Sequence, residues 1–199
     1  MARLAVLASG NGSNFQALAE ALRARPAEAG PAHECVLLIH DRKAAYAAAR
    51  AGLLGVRALH VGYQDRGRES AEAEMADALS EARVDLVALA GFMRILSPDF
   101  VRPREGRIVN IHPSLLPKWP GARAIERAYE AGEREFGATV HSVDEGMDTG
   151  PILARASFVA MPGSLLAEIE SKVHELEHHI YPRTVIELLD AIDGAGKIR

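Results

Sequence analysis

A chain of 199 residues is long enough for one α/β domain with a buried core and too short for two complete ones. Its 48% hydrophobic and 25% charged residues exclude a disordered or fibrous architecture. A formal net charge of -4 removes the long-range attraction that nonspecific nucleic-acid or acidic-membrane binding needs, leaving room only for a local basic pocket around one phosphate.

The first apolar segment, residues 4–8, lacks the length and cleavage pattern of a signal peptide, and no stretch reaches the length of a membrane span. A cytoplasmic protein with no membrane partner is the expectation. Short apolar runs recur at residues 35–39, 84–90 and 108–111, each bounded by Gly, Pro, Asp or Asn, and read as buried strands. The single cysteine, Cys35, falls in one of these runs, so no internal disulfide forms and the residue reads as a small buried hydrophobe. Between the runs, residues 13–24, 43–51 and 69–82 are rich in Ala, Glu and Leu at helical spacing. Strand–helix alternation of this kind predicts a largely parallel sheet covered by helices, with ligands beyond the carboxyl ends of the strands.

Past Pro113 the pattern changes. Residues 124–131 read as a short helix, 138–143 and 152–159 as strands that pair antiparallel, and a long helix starts near Ser164. Pro182 falls inside that helix and is expected to kink or divide it, since proline lacks the backbone donor. No internal repeat or low-complexity linker interrupts the chain.

Three segments carry chemistry. Ser9-Gly10-Asn11-Gly12-Ser13-Asn14 joins the first strand to the first helix, where freed backbone N–H groups either cradle a phosphate or close a tight turn capped by Ser13 or Asn14. It is neither the dinucleotide fingerprint nor the Walker loop, which need glycines elsewhere. Asn110 and His112 end the 108–111 strand on one side, so an amide donor and a titratable imidazole converge. Such a pair suits acyl transfer, in which Asn110 donates to a tetrahedral oxyanion and His112 donates or delivers a proton. Asp148 lies in the glycine-bounded loop Glu145-Gly146-Met147-Asp148-Thr149-Gly150-Pro151, either aimed into the same cleft or stabilising a turn. His174, His178 and His179 share helical spacing that a metal could use, but a solvated or packed helix face explains them without one, so no metal is expected.

With Ala90-Gly91-Phe92-Met93-Arg94-Ile95-Leu96-Ser97 and Asn110 to Lys118 added, these motifs run from one end of the chain to the late helix in one order. The sequence resembles the folate-dependent phosphoribosylglycinamide formyltransferase family. The resemblance implies a single Rossmann-like formyltransferase domain over 1–199, with a ribonucleotide phosphate-binding half to about residue 100 and a catalytic, folate-binding half beyond it. It implies transfer of the formyl group of 10-formyltetrahydrofolate to the amino group of glycinamide ribonucleotide in purine synthesis. Asn110, His112 and Asp148 match the catalytic trio. Gly12, Ser13 and Asn14 match the phosphate loop, and Glu177 an acidic residue near the substrate amine. Arg68, Met93, Arg94, Ile95, Leu96 and Asn110 match positions that meet the folate.

At Arg123 the chain departs from the family, which usually carries histidine there in a loop over the site. Two rival readings are a formyltetrahydrofolate deformylase, whose family usually carries an extra domain for which this chain leaves no room, and a noncatalytic nucleotide-binding module. The partners implied are small molecules, with no nucleic acid, and a monomer or homodimer.

Overall fold

The computed structural model describes residues 1–64 and 66–196. Seven strands form one sheet in the order β3-β2-β1-β4-β5-β6-β7. They are β1 (Arg3–Ala8), β2 (Glu34–His40), β3 (Arg57–His60), β4 (Leu86–Leu89), β5 (Ile108–His112), β6 (Glu135–Ser142) and β7 (Ile152–Val159). The first five in chain order pair in parallel, while β6 runs antiparallel to both β5 and β7. Helices α1 (Ser13–Ala24), α2 (Tyr46–Leu53), α3 (Gly67–Glu81), α4 (Pro98–Val101), α5 (Ala124–Glu130) and α6 (Leu166–Gly196) flank it.

Alternation along β1 shows how both faces fill. Leu4, Val6 and Ala8 join one core cluster with Phe15 and Leu18 of α1 and Val173, Tyr181 and Val185 of α6. Ala5 and Leu7 join the other with Ala71 and Met75 of α3 and Phe100 of α4. A strand covered on both faces has no polar side to alternate with, which is why these strands read as continuous apolar runs.

The expected parallel sheet and late antiparallel pair are both present, and two features go beyond them. Strand β3 has no apolar run, because its four residues form a sheet edge with Arg57 and Ala58 exposed. The antiparallel β5–β6 pairing sets His141 opposite Asn110. Of the two outcomes expected at Pro182, division does not occur, since α6 continues for 31 residues with the proline inside it. Tyr181 and Val185, fully buried on either side, fasten that stretch to the sheet.

Tyr181 also ties α6 to the two strands whose carboxyl ends open on the site. Its buried hydroxyl lies 2.9 Å from the carbonyl of Leu89, the last residue of β4, and 3.1 Å from that of Val109, the second residue of β5. Removing the hydroxyl gives up its buried hydrogen bonding to these carbonyls at a cost of about 0.5–1.5 kcal/mol. Tyr181→Phe is therefore expected to lower the urea midpoint of unfolding with the denaturant slope unchanged.

Candidate active site

The carboxyl ends of β1, β4 and β5 stand side by side and open into one cleft of about 680 Å³. Its lining includes Gly12, Ser13 and Asn14, the 89–96 segment, Asn110 and His112, Arg123 and Asp148, and His174 and Glu177 of α6.

At one end lies the turn into α1. Gly12 occupies the N-cap with φ 79°, and neither Ser13 nor Asn14 caps the helix through its side chain. A Cβ at Gly12 would come 2.6 Å from that of Ala47, so only glycine combines this left-handed backbone with this packing. The first amides of α1 thus stay free of side-chain caps, as an anion cradle requires. Arg50 braces the loop, with Nε 2.9 Å from the Asn11 carbonyl and Nη2 2.8 Å from Asn11 Oδ1. Asn14 Nδ2 donates to Oε2 of the buried Glu177 at 2.9 Å, and His174 Nδ1 meets the same oxygen at 3.0 Å. That hydrogen bond to Glu177 raises the His174 pKa against the opposing effect of burial.

The floor is formed by four side chains. His112 Nδ1 stands 3.4 Å from Asp148 Oδ2, and its Nε2 lies 2.8 Å from the Trp119 carbonyl. Because a carbonyl only accepts, Nε2 carries the proton and Nδ1 faces the carboxylate. Asn110 Nδ2 is 3.5 Å from Asp148 Oδ1 and 3.1 Å from Nε2 of His141. Asp148 also takes the Gly121 amide at 2.7 Å. Burial alone would raise the Asp148 pKa, but the His141 contact, the Gly121 amide and the charge of His112 outweigh it and hold the carboxyl at about 2.

The loop carrying Asp148 is tightly wound. Asp144 accepts from the Gly146 amide at 3.0 Å and from the Thr149 hydroxyl at 2.8 Å. A Cβ at Gly150 would come 1.8 Å from the Ser142 carbonyl, so glycine is required where the loop re-enters β7. Asp148 itself has φ 57°, a left-handed conformation that aspartate tolerates better than most residues.

Above the floor, Met93 and Ile95 expose 59% and 52% of their surface along the cleft, whereas Leu96 is buried. The Arg94 guanidinium is drawn away to the buried Asp41, with Nε 2.6 Å from Oδ2, and lies 4.9 Å from the Tyr63 ring centre. It steadies the shelf from behind. Arg68 is exposed in the first turn of α3 and lies outside the cleft lining. Arg123 lines the cleft with φ 55° and stands near Glu126 and Glu130 at 3.8 and 3.6 Å. Among the described residues no three His, Cys, Asp or Glu side chains gather as metal ligands.

The structure therefore unites Asn110, His112 and Asp148, sets Ser13, Asn14 and Glu177 at one end and Met93 and Ile95 along a wall, and leaves Arg68 apart. His141 escaped the sequence reading. Its two-residue alternation from Thr139 along β6 was the available signal, but its pairing with Asn110 depends on strand order.

Comparison with known proteins agrees with this geometry. The formyl transferase family model matches residues 2–185. The trifunctional purine biosynthetic protein adenosine-3 of Drosophila melanogaster is 44% identical over 189 residues, which are 94% of this chain and 14% of that protein's length. The phosphoribosylglycinamide formyltransferase of Bacillus subtilis is 39% identical over 195 residues, covering 95% of both chains. The crystal structure of glycinamide ribonucleotide transformylase 1 from Geobacillus kaustophilus superposes with a TM-score of 0.88 at 43% identity, over 95% of this chain and 99% of that one. With the family model matched over residues 2–185 and a relative 39% identical over 95% of both chains, the chain belongs to the formyl transferase family.

Proposed function

We propose that this enzyme transfers the formyl group of 10-formyltetrahydrofolate to the amino group of N1-(5-phospho-D-ribosyl)glycinamide, giving the N-formyl product and tetrahydrofolate in purine biosynthesis, in the cytoplasm. The observation that carries the reading is the convergence of Asn110, His112 and Asp148 between an uncapped helix N-terminus and an exposed apolar shelf. End-to-end similarity to the B. subtilis enzyme supports it.

The lining suits both small molecules. The free amides at Ser13 and Asn14 suit a phosphate, and Arg50 adds positive charge behind them. Buried Asn14 Oδ1 has no donor among the described residues and suits a ribose hydroxyl or an amide N–H. Glu177 suits the substrate's amine. Met93, Ile95 and Leu96 suit a flat heteroaromatic ring, while Arg94 contributes through the position of its backbone. Arg68, exposed in the first turn of α3 and outside the cleft lining, suits only an acidic tail that extends beyond the cleft. Phosphate binding thus falls to the half before about residue 100 and the chemistry to the half after it.

The folate supplies the formyl carbon as an electrophile. Glu177 holds the amine near that carbon, and Asn110 donates through Nδ2 to the oxygen as it gains negative charge. His112, oriented by Asp148 at its Nδ1, stabilises the same oxyanion. Asp148 accepts the proton that the amine sheds on forming its new N–C bond. It returns a proton, through water, to the folate nitrogen whose bond to carbon breaks.

Three results are expected. Consumption of 10-formyltetrahydrofolate, followed spectrophotometrically, will require glycinamide ribonucleotide; equal consumption without it would instead indicate a deformylase. His112→Ala and Asn110→Ala will each lower kcat by roughly 100-fold or more while leaving the thermal midpoint close to that of the parent. Because Asp148 is held at about 2, its carboxylate stays ionised throughout the neutral range. The ratio of parent to Asp148→Asn turnover will therefore be constant from about pH 6 to 8, and a ratio that shrinks toward the acid end would show the aspartate titrating there.

A further inference from the structure

Asn110 is useful to an oxyanion only if its amide presents N–H rather than oxygen to the cleft. The two ends of a primary amide are nearly equal in size, so packing alone discriminates poorly between them, and a neighbouring hydrogen-bond partner must decide. His141 is that neighbour. It lies opposite Asn110 in the β5–β6 register, and only 2% of its surface is exposed.

Two contacts define which way the ring works. Nδ1 lies 2.8 Å from the Ser142 carbonyl, which only accepts, so Nδ1 carries the proton. In the neutral ring Nε2 is then an acceptor, and it stands 3.1 Å from Asn110 Nδ2. Asp148 Oδ1 lies 3.5 Å from both of these nitrogens, too far to fix the amide as firmly. The direction of the ring comes from the backbone. The pairing of β6 with β7 shifts register between Val140 and His141, and an irregularity of this kind re-aims the side chain that follows it.

We propose that His141 is a positioning residue whose Nε2 accepts one N–H of Asn110, and so keeps the other directed at the oxygen of the formyl group. Without that acceptor the amide rotates freely and spends part of its time with oxygen toward the oxyanion, where it repels charge. This inference rests on the transferase reading for its kinetic consequence, but the hydrogen bond itself exists in the free protein.

The test compares His141→Leu, of similar volume and without an acceptor, with His141→Gln, whose Oε1 reaches the position of Nε2. In full-length protein His141→Leu is expected to lower kcat about 30- to 100-fold with KM for the ribonucleotide changed less than about two-fold. His141→Gln should recover kcat to within about five-fold of the parent. In the unliganded parent, nitrogen-15 NMR should show His141 protonated at Nδ1 and bare at Nε2. The Asn110 side-chain amide resonance should move in the leucine variant and stay in place in the glutamine variant. A folded leucine variant within about three-fold of the parent, a folded glutamine variant as slow as leucine, or a proton on Nε2 would overturn the proposal. Should the leucine variant not fold, the parent tautomer and the glutamine variant decide it. A parent that shows no ribonucleotide-dependent turnover would sink the transferase reading, and the NMR result would still judge the His141–Asn110 bond.

Discussion

The carboxylate of Asp148 is where separately folded stretches of chain meet. It takes the amide of Gly121 from the loop after β5, faces His112 and Asn110 on β5 itself, and lies beside His141 on β6. A carboxylate partly withdrawn from water is costly unless donors reach it, and here the amides of Gly121 and Asn110 do, with its pKa held at about 2. These donors are thereby positioned by it. Cleft geometry and local electrostatics are one constraint.

That constraint acts only because the backbone brings the loop back to the right place. Gly150 passes against the Ser142 carbonyl where a larger residue would not fit, and Asp144 closes the turn on Gly146 and Thr149. The antiparallel insertion of β6 beside β5 matters as much. Its register sets His141 opposite Asn110, and the 144–150 loop that follows β6 brings Asp148 to both. Helix α6 closes the other side, where Tyr181 reaches the carbonyls of Leu89 on β4 and Val109 on β5 and Glu177 engages Asn14 of the phosphate-type loop.

Charge is distributed to match. The floor of the cleft holds the Asp148 carboxylate between His112 and His141, the first turn of α1 offers amides without side-chain caps, and Arg50 lies behind that loop. Arg94, which the family resemblance sets among folate-contacting positions, has its guanidinium on the buried Asp41, where its charge holds the 93–96 shelf in place. A net charge of -4 thus coexists with a local concentration of free amides and a guanidinium at the turn into α1.

The sequence alone determined whatever depends on local pattern. Continuous apolar runs mark strands buried on both faces, glycines mark the turn into α1 and the loop around Asp148, and the spacing of Asn110 and His112 puts both at one strand end. Family motifs then named the chemistry. Only the tertiary structure decided what depends on neighbours distant in sequence. Strand β3 was illegible because an exposed edge of four residues carries no apolar signal. Pro182 does not divide α6 because burial of Tyr181 and Val185 on either side outweighs the lost backbone bond. His141 has no distinguishing motif, and it becomes part of the site through its register with Asn110. Strand order, and with it every contact to Asp148, follows from how the two core clusters pack, a property of the whole chain that no short segment encodes.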